Sequence, residues 1–296
     1  MIRIAIFTET KWAFGAVNSG LIKELYKHGV FGDILDWSLS HDPTAIAGIV
    51  DNFDYVITGP TALLELRSYG FPYEKIILVA HGQIDIYNGF RKCGLECFDR
   101  VHELAVVSPE LVNICKEIGV RRTPRLTPVG ICTDFFDAPI STELKTVGYA
   151  SAIAAPNANG ADIKRGYLVR EACKRANIQL ICNDKPLHYL SMYKFYRNVD
   201  AIICSSSEET VCLPMLEGAT AGKLVMSTPV GYVSRNRNAI ILPAEENAFV
   251  EMTAQKLEHY RNNPIEYQIR CNDFKLYAMN HYDWKHVIHH WLGMFR

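Results

Sequence analysis

The residues best suited to chemistry are concentrated between Ser205 and Gly222: Ser205-Ser206-Ser207-Glu208-Glu209-Thr210-Val211-Cys212-Leu213-Pro214-Met215-Leu216-Glu217-Gly218-Ala219-Thr220-Ala221-Gly222. The stretch follows an apolar, strand-like run and leads into a helix predicted to begin around Leu213. Glu209 falls in the loop before that helix and Glu217 inside it, with seven residues between them. Such spacing can put both carboxylates at one end of a lobe. The backbone amides of Val211, Cys212 and Leu213 sit at the helix start, where orphan N–H groups and the dipole stabilise anions. A diphosphate fits that position, and carboxylates accept hydrogen bonds from sugar and ribose hydroxyls. Acids beside a helix start are also common caps, so the pair alone leaves binding and capping both open.

The elements that must hold these residues follow from an alternation of short Val- and Ile-rich runs with longer amphipathic ones. In the first half, strands are predicted at Ile2–Phe7, Phe31–Asp36, Tyr55–Thr58, Lys75–Ala80 and Leu104–Val107. Helices are predicted near Val17–His28, Thr44–Asp51, Thr61–Tyr69 and Pro109–Glu117, the last with Ser108 as N-cap and Pro109 at the first helical position. The second half repeats the pattern with strands at Lys145–Ala150, Ile178–Cys182, Ala201–Cys204, Leu224–Ser227 and Ala239–Leu242. Its helices cover Arg165–Ala176, Pro186–Phe195, Leu213–Ala221 and Ala248–Tyr260. Such alternation indicates parallel sheets with helices on both faces. The aperiodic segment Arg125–Thr142 reads as the linker. Two doubly wound lobes follow, with ligands expected beyond the carboxyl ends of the strands, in the cleft between the lobes.

Composition bounds the function. The chain has 31 basic and 32 acidic residues, net charge −1; a dedicated nucleic-acid binder needs a basic excess to meet phosphates. No run approaches the ~20 apolar residues of a membrane span, so no membrane insertion is expected. The nine cysteines form no Cys-x-x-Cys pair and read as buried free thiols of a reducing, cytoplasmic compartment. The tail histidines His286, His289 and His290 lack an accompanying carboxylate pattern and do not read as a metal site.

Four motifs in register carry a resemblance. Glu209 and Glu217 with their seven-residue spacing are followed by Gly218-Ala219 and by Gly222-Lys223-Leu224-Val225-Met226-Ser227-Thr228-Pro229-Val230-Gly231. Pro128-Val129-Gly130-Ile131-Cys132-Thr133-Asp134-Phe135-Phe136 forms the second motif, Lys164-Arg165-Gly166 the third and Tyr282-Asp283-Trp284 the fourth. Together these resemble glycosyltransferase family 4 and its relatives of the GT-B fold. The resemblance implies two Rossmann-like lobes: an acceptor lobe over residues 1–135, a nucleotide-sugar donor lobe over 136–280, and a closing C-terminal helix over 281–296 that packs back toward the first lobe.

The roles it implies are specific. Glu217 would bind the ribose hydroxyls, and Glu209 would contact hydroxyls of the transferred sugar. Lys164 or Arg165 would neutralise the diphosphate leaving group. Val211, Cys212 and Leu213 would add amide contacts to the phosphates. Gly15 would let backbone approach the phosphate or the acceptor, and His81 would lie near the sugar. The implied reaction retains anomeric configuration by front-face attack, with the leaving diphosphate helping to deprotonate the acceptor hydroxyl. It needs no metal and no cofactor beyond the nucleotide sugar as co-substrate. The acceptor expected first is a glycan or small molecule; a modified nucleobase in DNA is less favoured. Two departures stand out. Gly148-Tyr149 replaces the family's Gly-Arg, which leaves Arg165, Lys185 or Arg235 to supply that cation, and Cys132 stands where Asp is typical. The rival readings are a catalytically silent nucleotide-sugar-binding subunit and a sugar-nucleotide epimerase of the same fold.

Overall fold

The computed structural model of the 296-residue chain describes residues 1–8, 12–36, 47, 49–153, 161–184, 187–236 and 239–296. They form two compact units, one of Met1–Gly130 with Trp284–Arg296 and one of Ile131–Asp283.

The first unit is built on six parallel strands: β1 (Ile2–Thr8), β2 (Val30–Asp36), β3 (Tyr55–Thr58), β4 (Ile76–Ala80), β5 (Glu103–Val106) and β6 (Arg125–Leu126). Their order is β2-β1-β3-β4-β5-β6. Strand β4 is buried at every residue, as a strand covered on both faces must be. The helices are α1 (Trp12–Tyr26), α2 (Leu63–Ser68), α3 (Gln83–Cys93), α4 (Leu95–Arg100) and α5 (Pro109–Glu117). Pro109 opens α5 as predicted, with Ser108 before it. Helices α3 and α4 were not foreseen, because Gly94, at φ +74, splits one amphipathic run into two short pieces. Half of the predicted helix Thr44–Asp51 lies outside the described residues, and Val50–Asn52 is a 3-10 turn. The segment read as aperiodic linker contributes strand β6, which pairs with β5 through Ala105–Arg125 and Val106–Leu126.

The second unit has five parallel strands: β7 (Thr146–Tyr149), β8 (Gln179–Cys182), β9 (Ala201–Cys204), β10 (Leu224–Ser227) and β11 (Ile240–Ile241). The order is β11-β10-β9-β7-β8. Strand β7 therefore sits between the strand that follows it and the later β9, which makes β7/β9 the topological switch point where ligands bind in such sheets. Alternate residues of β9 serve opposite layers: Ala201 and Ile203 pack with Val147, Leu224 and Phe249, while Ile202 and Cys204 pack with Cys212, Met215 and Phe274. Each fully buried Leu, Ile or Phe in these layers contributes about 1.5–3 kcal/mol.

Around this sheet lie α6 (Thr133–Phe136), α7 (Gly166–Arg175), α8 (Met192–Arg197), α9 (Leu213–Thr220), α10 (Glu246–Asn262) and α11 (Pro264–Tyr282). The predicted helix Pro186–Phe195 is replaced by a 3-10 turn at Tyr189–Ser191 followed by α8; Pro186 itself lies outside the described residues. Helix α10 starts earlier than predicted because Glu245 accepts from the amides of Asn247 at 3.0 Å and Ala248 at 2.7 Å. Pro264 cannot continue α10 and instead opens the unforeseen α11. The last helix, α12 (Trp284–Leu292), belongs to the first unit. Trp291 there donates from Nε1 to the Pro128 carbonyl at 2.8 Å. Among the described residues no helix is long and apolar enough to cross a membrane.

Candidate active site

Three loops leave the carboxyl ends of β7, β9 and β10 and are tied to one another by hydrogen bonds. The loop after β7 ends in a turn held by Asp162, whose Oδ1 accepts from the amides of Lys164 at 3.2 Å and Arg165 at 3.0 Å. Arg165 takes the left-handed conformation, φ 49, as N-cap of α7. Gly166 follows because a Cβ there would lie 2.7 Å from the Ile153 carbonyl and 2.8 Å from the Tyr149 ring. The Tyr149 hydroxyl donates to the Lys164 carbonyl at 2.9 Å, and Ser205 Oγ donates to it at 2.7 Å. Tyr149, where the resemblance led to the expectation of a cation, is a buried prop beneath Lys164.

The loop after β9 is clamped from both sides. Ser207 donates its amide to Ile163 O at 2.9 Å. The Arg165 guanidinium donates to the carbonyls of Ser205 at 2.7 Å, Ala244 at 2.8 Å and Ser206 at 3.4 Å. Three of its five N–H groups are spent on holding backbone. Thr228 Oγ1 donates to Ser206 O at 2.6 Å, and the Gly231 amide donates to Glu209 O at 3.1 Å. Gly231, at φ +60, has no room for a side chain, since a Cβ would meet Val211 O at 2.8 Å. Cys212 closes the loop at φ 58 as N-cap of α9. Leu213 follows at the first helical position, Pro214 after it carries no N–H, and the Met215 amide donates to Cys212 O at 3.0 Å.

Two carboxylates face different environments. Glu209 forms an ion pair with Lys164 and accepts from Ser206 Oγ at 2.8 Å. Burial opposes the charge on Lys164, yet the Glu209 carboxylate raises its pKa above the ordinary value. Glu217 is 7% exposed and accepts from the Tyr196 hydroxyl at 2.6 Å. Burial raises its pKa to about 7, with the Tyr196 bond pulling the other way. Tyr196 is itself buried and titrates well above its usual range, through burial and the Glu217 charge. Cys212 lies within electrostatic reach of Lys164, Glu209 and Tyr196.

The second unit thus gathers Lys164, Arg165, Glu209, Val211, Cys212, Leu213 and Glu217 onto the carboxyl ends of its strands and the start of α9. His81 and Gly15 belong to the first unit. His81 follows β4 half-buried, with its amide donating to Asp85 Oδ2 at 3.0 Å and its ring edge-on to Phe14 at 5.2 Å. Removal from water lowers its pKa, against the pull of Asp85. Gly15 is buried in the first turn of α1. Of the alternative cations, Lys185 lies outside the described residues, and the Arg235 guanidinium lies over the Tyr232 ring at 5.3 Å. The sequence reading missed Tyr196, Asp162 and Ser206. Tyr196 had a trace in its aromatic run Tyr193–Tyr196, but only the fold shows it meeting Glu217. Three potential metal-ligating atoms, from Cys204, Glu209 and Cys212, lie within 4.8 Å of one another.

No family model matches the chain, and no curated protein matches it in sequence. Solved structures do match over its whole length. HepE from Anabaena, in complex with UDP and glucose, superposes with a TM-score of 0.75 at 11% identity, covering 99% of each chain. An alpha-glucosyltransferase in complex with UDP and a 13-mer DNA containing a HMU base gives 0.72 at 10% identity, again over 99% of each chain. Sucrose-phosphate synthase from Thermosynechococcus elongatus gives 0.69 at 10% identity, covering 100% of this chain and 98% of that one. The chain has the GT-B fold, the fold of these nucleotide-sugar glycosyltransferases.

Proposed function

We propose that this GT-B chain is a glycosyltransferase that moves a sugar from a nucleoside-diphosphate sugar to an acceptor hydroxyl, with retention of configuration. The observation that carries the reading is the pairing, at one switch point, of a buried Glu217–Tyr196 unit with a partly exposed Lys164–Glu209 pair beside the start of α9. A buried carboxylate backed by a tyrosine hydroxyl suits the two hydroxyls of a ribose. The Leu213 amide at the start of α9, the dipole behind it and the Lys164 ammonium suit a diphosphate, whose charge they would stabilise as it departs. Glu209, released from Lys164 when phosphate arrives, would then accept from hydroxyls of the transferred sugar. Structures of the same fold that hold UDP with glucose, or UDP with DNA, support a nucleotide-sugar donor.

Retention follows in this reading from where the charges stand. Glu209 is tied on the donor side by Lys164 and Ser206 and serves as a hydroxyl acceptor rather than a nucleophile. The acceptor hydroxyl attacks the anomeric carbon from the leaving-group face, its proton passes to the departing diphosphate oxygen, and the C–O bond to the diphosphate breaks. Lys164 and the helix start carry the diphosphate charge, so the transfer proceeds without a metal. A glycan or small-molecule hydroxyl is the acceptor that the near-neutral charge of the chain favours over DNA.

The test is a panel of nucleotide sugars offered to the purified protein, with release of nucleoside diphosphate followed for wild type, Glu217→Ala and Glu209→Ala. Release from one donor, lost in both variants, is the expected result. If no donor is turned over and none binds by calorimetry, the proposal fails. Tight binding of a donor with no turnover against any acceptor favours a silent binding subunit.

A further inference from the structure

We propose that Cys204, Cys212 and Glu209 form a site for one thiophilic divalent cation such as zinc, and that metal bound there shuts the donor site. The second half of this statement rests on the donor-site reading above; the first half does not.

The argument begins with the β9–α9 turn. Cys204 ends β9 and Cys212 caps α9, so the turn brings both ends back to the same layer, where both side chains are buried. Their sulfurs are 3.4 Å apart, with Cys212 Sγ donating to Cys204 Sγ. Glu209 lies between them in sequence, and the three ligand atoms fall within 4.8 Å of one another. Two thiolates and a carboxylate are a zinc donor set, with bonds of about 2.3 Å to sulfur and about 2.0–2.2 Å to oxygen. On a tetrahedral ion two such sulfurs stand roughly 3.8 Å apart, so the pair needs only a small opening. The carboxylate must draw inward by a side-chain rotation. Ser206 Oγ, at 2.8 Å from Glu209 Oε1, is placed to orient it as an outer-shell donor.

Charge favours the same arrangement. Binding expels the two thiol protons to solvent. The resulting cluster of one dication, two thiolates and one carboxylate carries a net charge of −1, and the Lys164 ammonium already paired with Glu209 balances it. The ligand sphere then needs one more donor, which water fills from the partly open Glu209 side. The cost is functional: Glu209 is taken by the metal and Lys164 by the anionic cluster, so neither meets the donor.

Cobalt(II) is the first probe, because thiolate coordination gives it a charge-transfer band in the near ultraviolet. Reduced full-length protein titrated with Co²⁺ is expected to show the band at one ion per chain, bleached by Zn²⁺. Cys204→Ser and Cys212→Ser should each lose at least half of its intensity, and Glu209→Gln should keep the band at ten-fold or weaker affinity. A Cys93→Ser/Cys97→Ser protein, altered only in the first unit, should keep it in full. Circular dichroism establishes that each variant is folded; if a serine variant is not, the rate of alkylation of Cys204 and Cys212 in the wild type at sub-denaturing urea, where local opening exposes these buried thiols, replaces it, and Zn²⁺ should slow it at both cysteines. Absence of the band, or a band indifferent to both serine variants, overturns the site. Zinc bound at these cysteines while donor turnover continues unchanged overturns the shut-off and leaves the donor-site reading standing. A protein that binds metal here but no nucleotide sugar supports the site and refutes the donor reading instead.

Discussion

Glu217→Gln should stabilise the protein above neutral pH while weakening its hold on a donor. Glu217 is buried, and its pKa rises from an ordinary 4.5 to about 7, chiefly through loss of water. At about 1.36 kcal/mol per pKa unit the ionised form costs the fold about 3 kcal/mol. The sign follows from the two end states. Below about pH 4.5 the carboxyl is protonated both folded and unfolded and costs nothing. Between about 4.5 and 7 the unfolded chain ionises first, so stability falls as pH rises; above 7 the full cost is present. A glutamine keeps the shape and can still accept from Tyr196, but carries no charge. Urea unfolding at pH 5 and pH 8 measures the difference. The variant should gain roughly 2 kcal/mol more over wild type at pH 8 than at pH 5, where the unfolded chain is already partly ionised, or several degrees in melting temperature. Its donor affinity should fall about 10- to 100-fold, the loss expected for hydrogen bonds to a charged group. An equal stability difference at both pH values would refute the reasoning, because it would mean that the carboxylate is not held away from water.

The same carboxylate should couple donor binding to pH: hydroxyls that donate to Glu217 favour its ionised form, so donor affinity should fall toward tenfold per pH unit below the midpoint near 7, read by calorimetry between pH 5.5 and 8. Tyr196→Phe removes the bond that favours the ionised form, and should move the end of the stability decline to higher pH while costing about 1–3 kcal/mol at pH 8. Lys164→Ala should lower turnover about 100-fold or more, the scale of one lost charge-stabilising donor, with a smaller change in donor Kd. Arg165→Ala frees the carbonyls of Ser205, Ser206 and Ala244 and should cost about 2 kcal/mol of stability, visible as faster amide exchange over the loop 205–209.

Much of this was legible in the residue pattern. Ala201–Cys204 and Leu224–Ser227 were read at their observed bounds, because a short fully buried Val/Ile run between turn residues has few other readings. The Glu209–Glu217 spacing placed one carboxylate in a loop and the other on a helix, as found. Helix α11 was overlooked although its signal was present: Tyr267, Cys271, Phe274 and Ala278, its buried residues, recur at helical intervals. The spans of α3 and α4 were hidden by the glycine between them. What no periodicity carries is the cross-linking of the site. Tyr149 and Ser205 meet Lys164 from distant positions in the chain, through a backbone carbonyl that any sequence possesses, and Asp162 holds the local turn through the amides of Lys164 and Arg165. For the same reason the Arg165 guanidinium looks, in the sequence, like a free cation for phosphate, while the fold directs three of its donors to carbonyls.

Backbone conformation bears on the same end of the sheet. Three non-glycine residues among those described have positive φ: Arg165, Asn177 and Cys212. Asn177 follows the end of α7, where an asparagine in the left-handed region is ordinary. Arg165 and Cys212 have no such excuse. Each stands immediately before a helix that starts at the switch point, and each holds a conformation that costs of order 1 kcal/mol or more for a side chain with a Cβ. A substitution of either by glycine would relieve the backbone but remove what the residue does: the guanidinium that ties three carbonyls, or the thiol packed against Cys204. Strain at both helix starts and a buried ionisable Glu217 work against stability, and they meet at the carboxyl end of one sheet, on the connections that follow β7 and β9. Packing elsewhere offsets that cost, since the β9 layers are closed on both faces. A fold under no demand but stability would place glycine at 165 and 212 and an apolar residue at 217. The concentration of these three departures at one sheet end is therefore an argument for ligand binding there that is independent of any likeness to other proteins.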